Sequence, residues 1–322
     1  EMQAFVGSVV VRGRCIRRRL SMMAVRKVET VQKTRKQTEG GGFVVRRPNI
    51  PAERFDPILL LDHMGPATYG PKEAVGAPDH PHRGQETITY ILKGQMQHLD
   101  SHGHAGNLNP GDVQWMTAGA GVVHSEMPGD ELFEKGGTLE GFQMWVNLPK
   151  EKKMTKPRYQ ELKSTEIPSS KSDDGQITVK VLAGKFKDTK AHIDTVTPIV
   201  YYDVFAEKSG EVSFDPGVKR LFVYVYRGKA QVCGRDMEEG EIAVLETEEG
   251  DVEVLSANEG CGCLVFGGDP LNQPVAWVGP FVMTTQEEIR QAMIDYQTGI
   301  LGSIPGSDKR YEQTRIANQN RS

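Results

Sequence analysis

The 322 residues carry 39 Lys and Arg against 43 Asp and Glu, and 38% of them are hydrophobic but only 7% aromatic. This length points to two domains, the net charge of −4 gives no global basic field for nucleic acid or an anionic membrane, and no run reaches the roughly 18 apolar residues of a membrane-spanning helix. The 35 glycines suit short strands joined by tight turns, and Cys15, Cys233, Cys261 and Cys263 lack the spacing of a zinc framework or a secreted disulfide scaffold, which favours a reducing compartment.

In chain order, residues 2–28 hold seven Arg or Lys, including Arg17, Arg18 and Arg19, and no acid. An organelle transit peptide has that composition. A disordered basic tail, or an over-extended reading frame whose start is Met22 or Met23, accounts for it as well. We bound this extension at residues 1–36. A first domain, 37–155, then reads as short apolar runs between Gly, Pro, Asp and Asn. Thr87 to Leu92 alternates with Ile88, Tyr90 and Leu92 on one face, the turn Lys93-Gly94 follows, and Asn109-Pro-Gly-Asp112 leads into the apolar run Val113 to Met116. Lys-, Ser- and Asp-rich residues 156–175 read as a connector.

In the second domain, 176–302, strand signals resume at Ile177–Leu182, Ile199–Phe205, Leu221–Tyr226, Ile242–Leu245, Val252–Leu255 and Cys263–Phe266. Thr89-Tyr-Ile-Leu-Lys-Gly94 aligns with Val223-Tyr-Val-Tyr-Arg-Gly228, each followed by a turn at Gly111-Asp112 or Gly240-Glu241, which suggests one all-β barrel used twice. A short C-terminal helix is predicted where Thr285 and Glu288 have capping-box spacing and Ile289, Ala292, Met293 and Tyr296 form an apolar stripe ending at Gly299. Residues 303–322 read as a polar, frayed tail.

Seven of the eight histidines lie between His63 and His124. Two motifs stand out, His80-Pro81-His82-Arg83-Gly84 and His124-Ser125-Glu126. On a strand, residues i and i+2 share a face, so each motif presents two ligands in one direction, and two facing strands supply four. Three imidazoles and a carboxylate, His80, His82, His124 and Glu126, suit a borderline divalent transition ion and leave open positions on an octahedral one. His102-Gly-His104 sits in a Gly-rich turn and reads as a surface or supporting pair, and His98 and His63 as core or hydrogen-bonding residues. A divalent ion with one carboxylate keeps a charge of about +1, which favours an anionic oxygen chelator.

Asp79-His-Pro-His-Arg-Gly84, Asn109-Pro-Gly-Asp-Val-Gln-Trp-Met-Thr-Ala-Gly119, His124-Ser-Glu-Met-Pro128, Gln143-Met-Trp-Val-Asn-Leu148 and Gly279-Pro-Phe-Val-Met283 resemble the pirin family, and the likeness extends over nearly everything after residue 36. The resemblance implies a bicupin, two tandem double-stranded β-helix (jelly-roll) barrels. It implies one iron ion, Fe(II), on His80, His82, His124 and Glu126, with Mn, Ni, Co, Cu and Zn as other candidates. Gln85 departs from the family, in which many members have an aromatic residue after HPHRG. Aligning the second half on Gly228 sets Phe214 and Pro216 near the HxH positions and Glu253 and Leu255 near the HxE positions, so the second barrel is expected to be metal-free.

Two functions follow from the resemblance. One is a quercetin 2,3-dioxygenase-like oxidoreductase that cleaves a chelated flavonol with O2, with Glu126 as ligand and general base. The other is a redox-sensing transcription co-regulator whose Fe(II) and Fe(III) states bind a transcription-factor-type protein differently, without direct nucleic-acid or membrane contact. Either would be a monomer, cytoplasmic and nuclear like its relatives unless residues 1–28 redirect it.

Overall fold

Alternation marks where strands start, and pairing decides how far they run. The computed structural model describes residues 24–39, 42–247 and 250–321; in it Thr87 to Leu92 lies within strand Gln85–Lys93, and Val113 to Met116 within Val113–Thr117. The separate signals at 252 and 263 are one strand, Val252–Gly268. Its first part pairs with Gly210–Phe214 and its second with Ile199–Ala206, so ladder bonds carry it through residues with no alternation of their own.

The molecule is a bicupin. In the first barrel a four-stranded antiparallel sheet runs, in spatial order, Ala77–His82, Val122–Pro128, Met96–Asp100 and Ala105–Leu108, and it faces a seven-stranded sheet containing Gln85–Lys93, Gly137–Asn147 and Ile58–Tyr69. The second barrel is built from a nine-stranded sheet whose interior is filled by Val204, Val212, Phe214, Val223, Val225, Val252, Val254 and Cys263. The internal repeat survives in the backbone: Gly94 (φ 80°) follows strand Gln85–Lys93, the aligned Gly228 (φ 68°) sits at a register shift inside Arg220–Val232, and Gly111 (φ 88°) and Gly240 (φ 85°) occupy the turns that follow. All four need the left-handed region that only glycine adopts cheaply. One detail of the expected alignment is corrected. Val252 and Val254 face the interior, so Glu253 and Leu255, one residue out of phase, lie on the more exposed face.

Ile88, Tyr90, Trp115, Phe142 and Met144 of the first barrel share one buried cluster with Tyr201, Phe222, Tyr224, Leu264 and Phe266 of the second. Each such side chain contributes about 1.5–3 kcal/mol when fully buried, so the barrels are joined by a core and not by a hinge. Three polar contacts add specificity within it. Tyr90 and Tyr226 donate their hydroxyls to Asp203 at 2.7 and 2.8 Å, and the Tyr224 hydroxyl lies 2.8 Å from His63 Nδ1. Burial holds the Asp203 carboxyl above the ordinary range, and the two phenol donors oppose that shift.

The ends of the described chain cross over. Strand Val28–Lys33 belongs to the second barrel, pairing with Glu241–Leu245, which corrects the expectation that residues 1–36 are an unstructured extension; residues 1–23, which include Arg17, Arg18 and Arg19, lie outside the described residues. The supposed connector is also used, since Arg158–Leu162 pairs with Val113–Thr117 and Ser169–Lys171 with Ile177–Ala183. Helix Gln286–Gln297 forms with the full Thr285/Glu288 capping box and packs Ile289 and Ala292 inward. The polar tail is a second helix, Ser307–Asn320, and it docks on the first barrel. No helix among the described residues is long and apolar enough to cross a membrane.

Candidate metal centre

His80 and His124 are directly opposed in the ladder between Ala77–His82 and Val122–Pro128, and Val122 pairs with His82. The i, i+2 spacing and this register bring the three imidazoles together. His80, His82 and His124 offer ligand atoms all within 4.8 Å of one another, with ring centroids 4.3 to 4.9 Å apart, and they form the metal-competent group among the described residues. Gly84 shapes the end of this strand. Its φ is 87°, and a Cβ there would sit 2.0 Å from the Val282 carbonyl, so only glycine lets segment Phe281–Met283 lie against the histidine loop.

The donor set itself fits an ion. His124 Nδ1 and Nε2 are both buried and have no hydrogen-bond partner in the protein, so either nitrogen has its bonding capacity open to a ligand the protein does not supply. His80 donates Nδ1–H to the Pro78 carbonyl at 2.8 Å, which leaves Nε2 with its lone pair free. Burial first, and the neighbouring histidines second, hold His82 and His124 well below the ordinary histidine pKa, so both rings are held neutral, the charge state a metal ligand needs.

Glu126 is not part of this group of three. It lines the same cavity, but Thr89 donates to Oε1 and Gln143 to Oε2, both at 2.7 Å. A carboxylate offers about four lone-pair sites, so these bonds orient it and leave acceptor capacity toward the histidines. The cavity, about 550 Å³, has His80, His82 and Glu126 on its inner wall and Phe43, Leu60, Met64, Met96, Trp145 and Trp277 as its apolar lining. Arg47, in a two-bonded pair with Asp62 at 2.6 and 2.5 Å, also lines it. Sequence reasoning missed Thr89, Gln143 and Trp145 as site residues, although strand periodicity places Gln143 and Trp145 on one face. Trp277 and Pro280 arrive from the second domain, and nothing local announces them.

Three of the other histidines have structural partners. His104 bonds Asp100 at 2.8 Å, His98 pairs with Glu161, and His63 meets Tyr224 and Glu140. Arg83 turns away from the cavity to Asp295 at 2.7 Å and the Ala120 carbonyl at 2.7 Å, so it anchors helix Gln286–Gln297. Lys153 is buried, and its Nζ donates to the carbonyls of Gly84 and Val282 and to Asn147 Oδ1 at 2.7 to 2.9 Å. Arg310 grips the Asp79 carboxylate with two nitrogens, beside His80. Replacing Arg310 with leucine is expected to accelerate amide exchange across Ser307–Asn320 by roughly tenfold or more, since it strands a largely buried carboxylate. Unchanged exchange there would show that the ion pair does not hold the helix.

A double β-barrel with three converging imidazoles inside one barrel defines a bicupin with a candidate mononuclear metal centre. The profile of the Pirin domain matches residues 42–146 and that of the Pirin C-terminal cupin domain residues 201–302. The chain is 40% identical to a pirin-like protein of Solanum lycopersicum, over 82% of this chain and 89% of that one, and 39% identical to human pirin, over 86% and 94%. It is 42% identical to a Pseudomonas aeruginosa protein named provisionally as a quercetin 2,3-dioxygenase, over 77% and 88%. A solved structure described as quercetin 2,3-dioxygenase from Acinetobacter baumannii superposes with a TM-score of 0.81 at 35% identity, covering 87% of this chain and 100% of that one. The chain belongs to the pirin family.

Proposed function

We propose that His80, His82, His124 and Glu126 hold one mononuclear transition ion, iron(II), and that the site cleaves a chelated flavonol with O2. The observation that carries this reading is the cavity: an apolar, aromatic-walled space of about 550 Å³, within the usual size for small-molecule sites, with metal-type donors along one wall. The naming of relatives as quercetin 2,3-dioxygenases supports the same chemistry. When bound, the ion supplies a Lewis acid for the 3-hydroxyl and 4-carbonyl oxygens of the flavonol.

The chain's own groups do the rest. Glu126, oriented by Thr89 and Gln143, takes the 3-hydroxyl proton. Trp145 and Trp277, with ring centroids 5.8 Å apart and planes inclined by 39°, give an aromatic ligand an apolar wall and exclude water from its face. Protein loaded anaerobically with Fe(II) and then given O2 should consume quercetin and release carbon monoxide, and Glu126→Gln should slow this by roughly a hundredfold or more. A flavonol absorption band that persists with each of Fe, Mn, Ni, Co and Cu would overturn the enzymatic reading.

A further inference from the structure

The three histidines are not prepared for metal in the same way. A histidine that ligates through Nε2 must carry its proton on Nδ1 and needs an acceptor there. His80 has one, the Pro78 carbonyl. His82 meets something different: Gln85 Nε2 lies 2.9 Å from His82 Nδ1 and also 2.9 Å from the Pro280 carbonyl, which is itself 3.2 Å from Nδ1.

The Pro280 carbonyl fixes which way the amide faces. Only the nitrogen side of Gln85 makes a bond to a carbonyl oxygen; turned over, Oε1 would face that oxygen at the same distance with no proton between them. With Nε2 in place, its second N–H points at His82 Nδ1, and that contact is a hydrogen bond only if Nδ1 is an acceptor. This bond at 2.9 Å competes with donation from Nδ1–H to the Pro280 carbonyl at the longer 3.2 Å, and with the shorter one made the neutral ring carries its proton on Nε2, where an ion must bind. Gln85 is fully buried, and its Oε1 has no partner in the protein, so no other side chain competes for its orientation.

We propose that Gln85 is a positioning residue that holds His82 in the tautomer opposed to metal binding, which lowers the affinity of the centre and makes His82 the ligand that lets go first. This rests on His82 being a ligand. Loading the ion requires the Nε2 proton to leave to solvent and Nδ1 to take one up; the Gln85–His82 bond breaks and the new Nδ1–H donates to the Pro280 carbonyl, so the ion exchanges more readily than it would beside an apolar residue.

The test has two arms. In metal-free protein labelled with 15N at histidine, His82 should show an unprotonated Nδ1 and a protonated Nε2, and Gln85→Met should reverse them. With cobalt(II) as the probe, Gln85→Met and Gln85→Leu should each bind roughly five- to tenfold more tightly than the wild type, the weight of one net buried hydrogen bond. A protonated Nδ1 in the metal-free wild type would overturn the proposal, as would cobalt affinity that is equal or weaker in both folded variants. If no form binds any transition ion, the metal reading itself fails, and the tautomer arm still decides whether Gln85 orients the ring.

Discussion

Replacing His124 with alanine is expected to weaken binding of a divalent transition ion by roughly a hundred- to a thousandfold, because a structural ion on four protein ligands derives about 10–16 kcal/mol from them together. The same substitution should leave the metal-free fold within about 1 kcal/mol of the wild type. The imidazole is 1% exposed and bonds to nothing in the protein, so its removal opens a small cavity but also relieves two desolvated, unpaired nitrogens. Thermal unfolding separates the two effects. The wild type should gain stability when an ion is added, and the variant should not, at nearly equal midpoints without metal. Retention of tight metal binding by His124→Ala would remove this histidine from the centre.

Lys153→Met is expected to cost about 2–3 kcal/mol at neutral pH, and the cost should grow as pH rises. The ammonium satisfies three buried acceptors, and each one stranded costs about 1–3 kcal/mol, partly offset by no longer burying a charge. Burial pulls the folded-state pKa of Lys153 down to about 8, and Glu288 opposes the shift. The unfolded lysine titrates near 10.4, so across this window the unfolded chain binds the extra proton and wild-type stability rises with pH, by about 3 kcal/mol in all. Below the folded pKa both states are charged and this contribution is flat. Denaturant unfolding of both proteins between pH 7 and about 10.5 should therefore show the gap widening upward. A gap that is constant, or that narrows, would show that the buried amine does not change its protonation in this range.

The barrels and the three histidines were legible because their signals are local. His80, His82 and His124 sit at i, i+2 spacing or beside it on strands whose alternation is visible, and the ladder only had to bring two such strands into register. Glu126 was legible as a candidate by the same rule, while its orientation by Thr89 and Gln143 depends on a strand register no spacing reveals. What escaped was held by contacts distant in sequence. Val28–Lys33 offers Val28 and Val31 between charged and polar residues and joins the second barrel as an edge strand, so it read as part of a basic extension. Ser307–Asn320 has almost no apolar stripe, and Arg310 on Asp79 does the anchoring. Lys153 stands in the run Lys150-Glu-Lys-Lys153, which reads as a solvated turn until three acceptors are found around it.

The crossing of the two end segments sets an order of assembly. Synthesis delivers His80, His82 and His124 well before Trp277, Pro280 and Arg310, although all six bear on the same pocket. Until the later stretch emerges, the Pro280 carbonyl is not there to hold Gln85, Gly84 has no strand lying against it, and the cavity lacks one wall. The nascent first barrel is thus a different chemical object from the finished one, with its histidines open on a side that later closes. Cutting the chain between the barrels would recreate that unfinished state, so the two halves divide the sequence more cleanly than they divide the work.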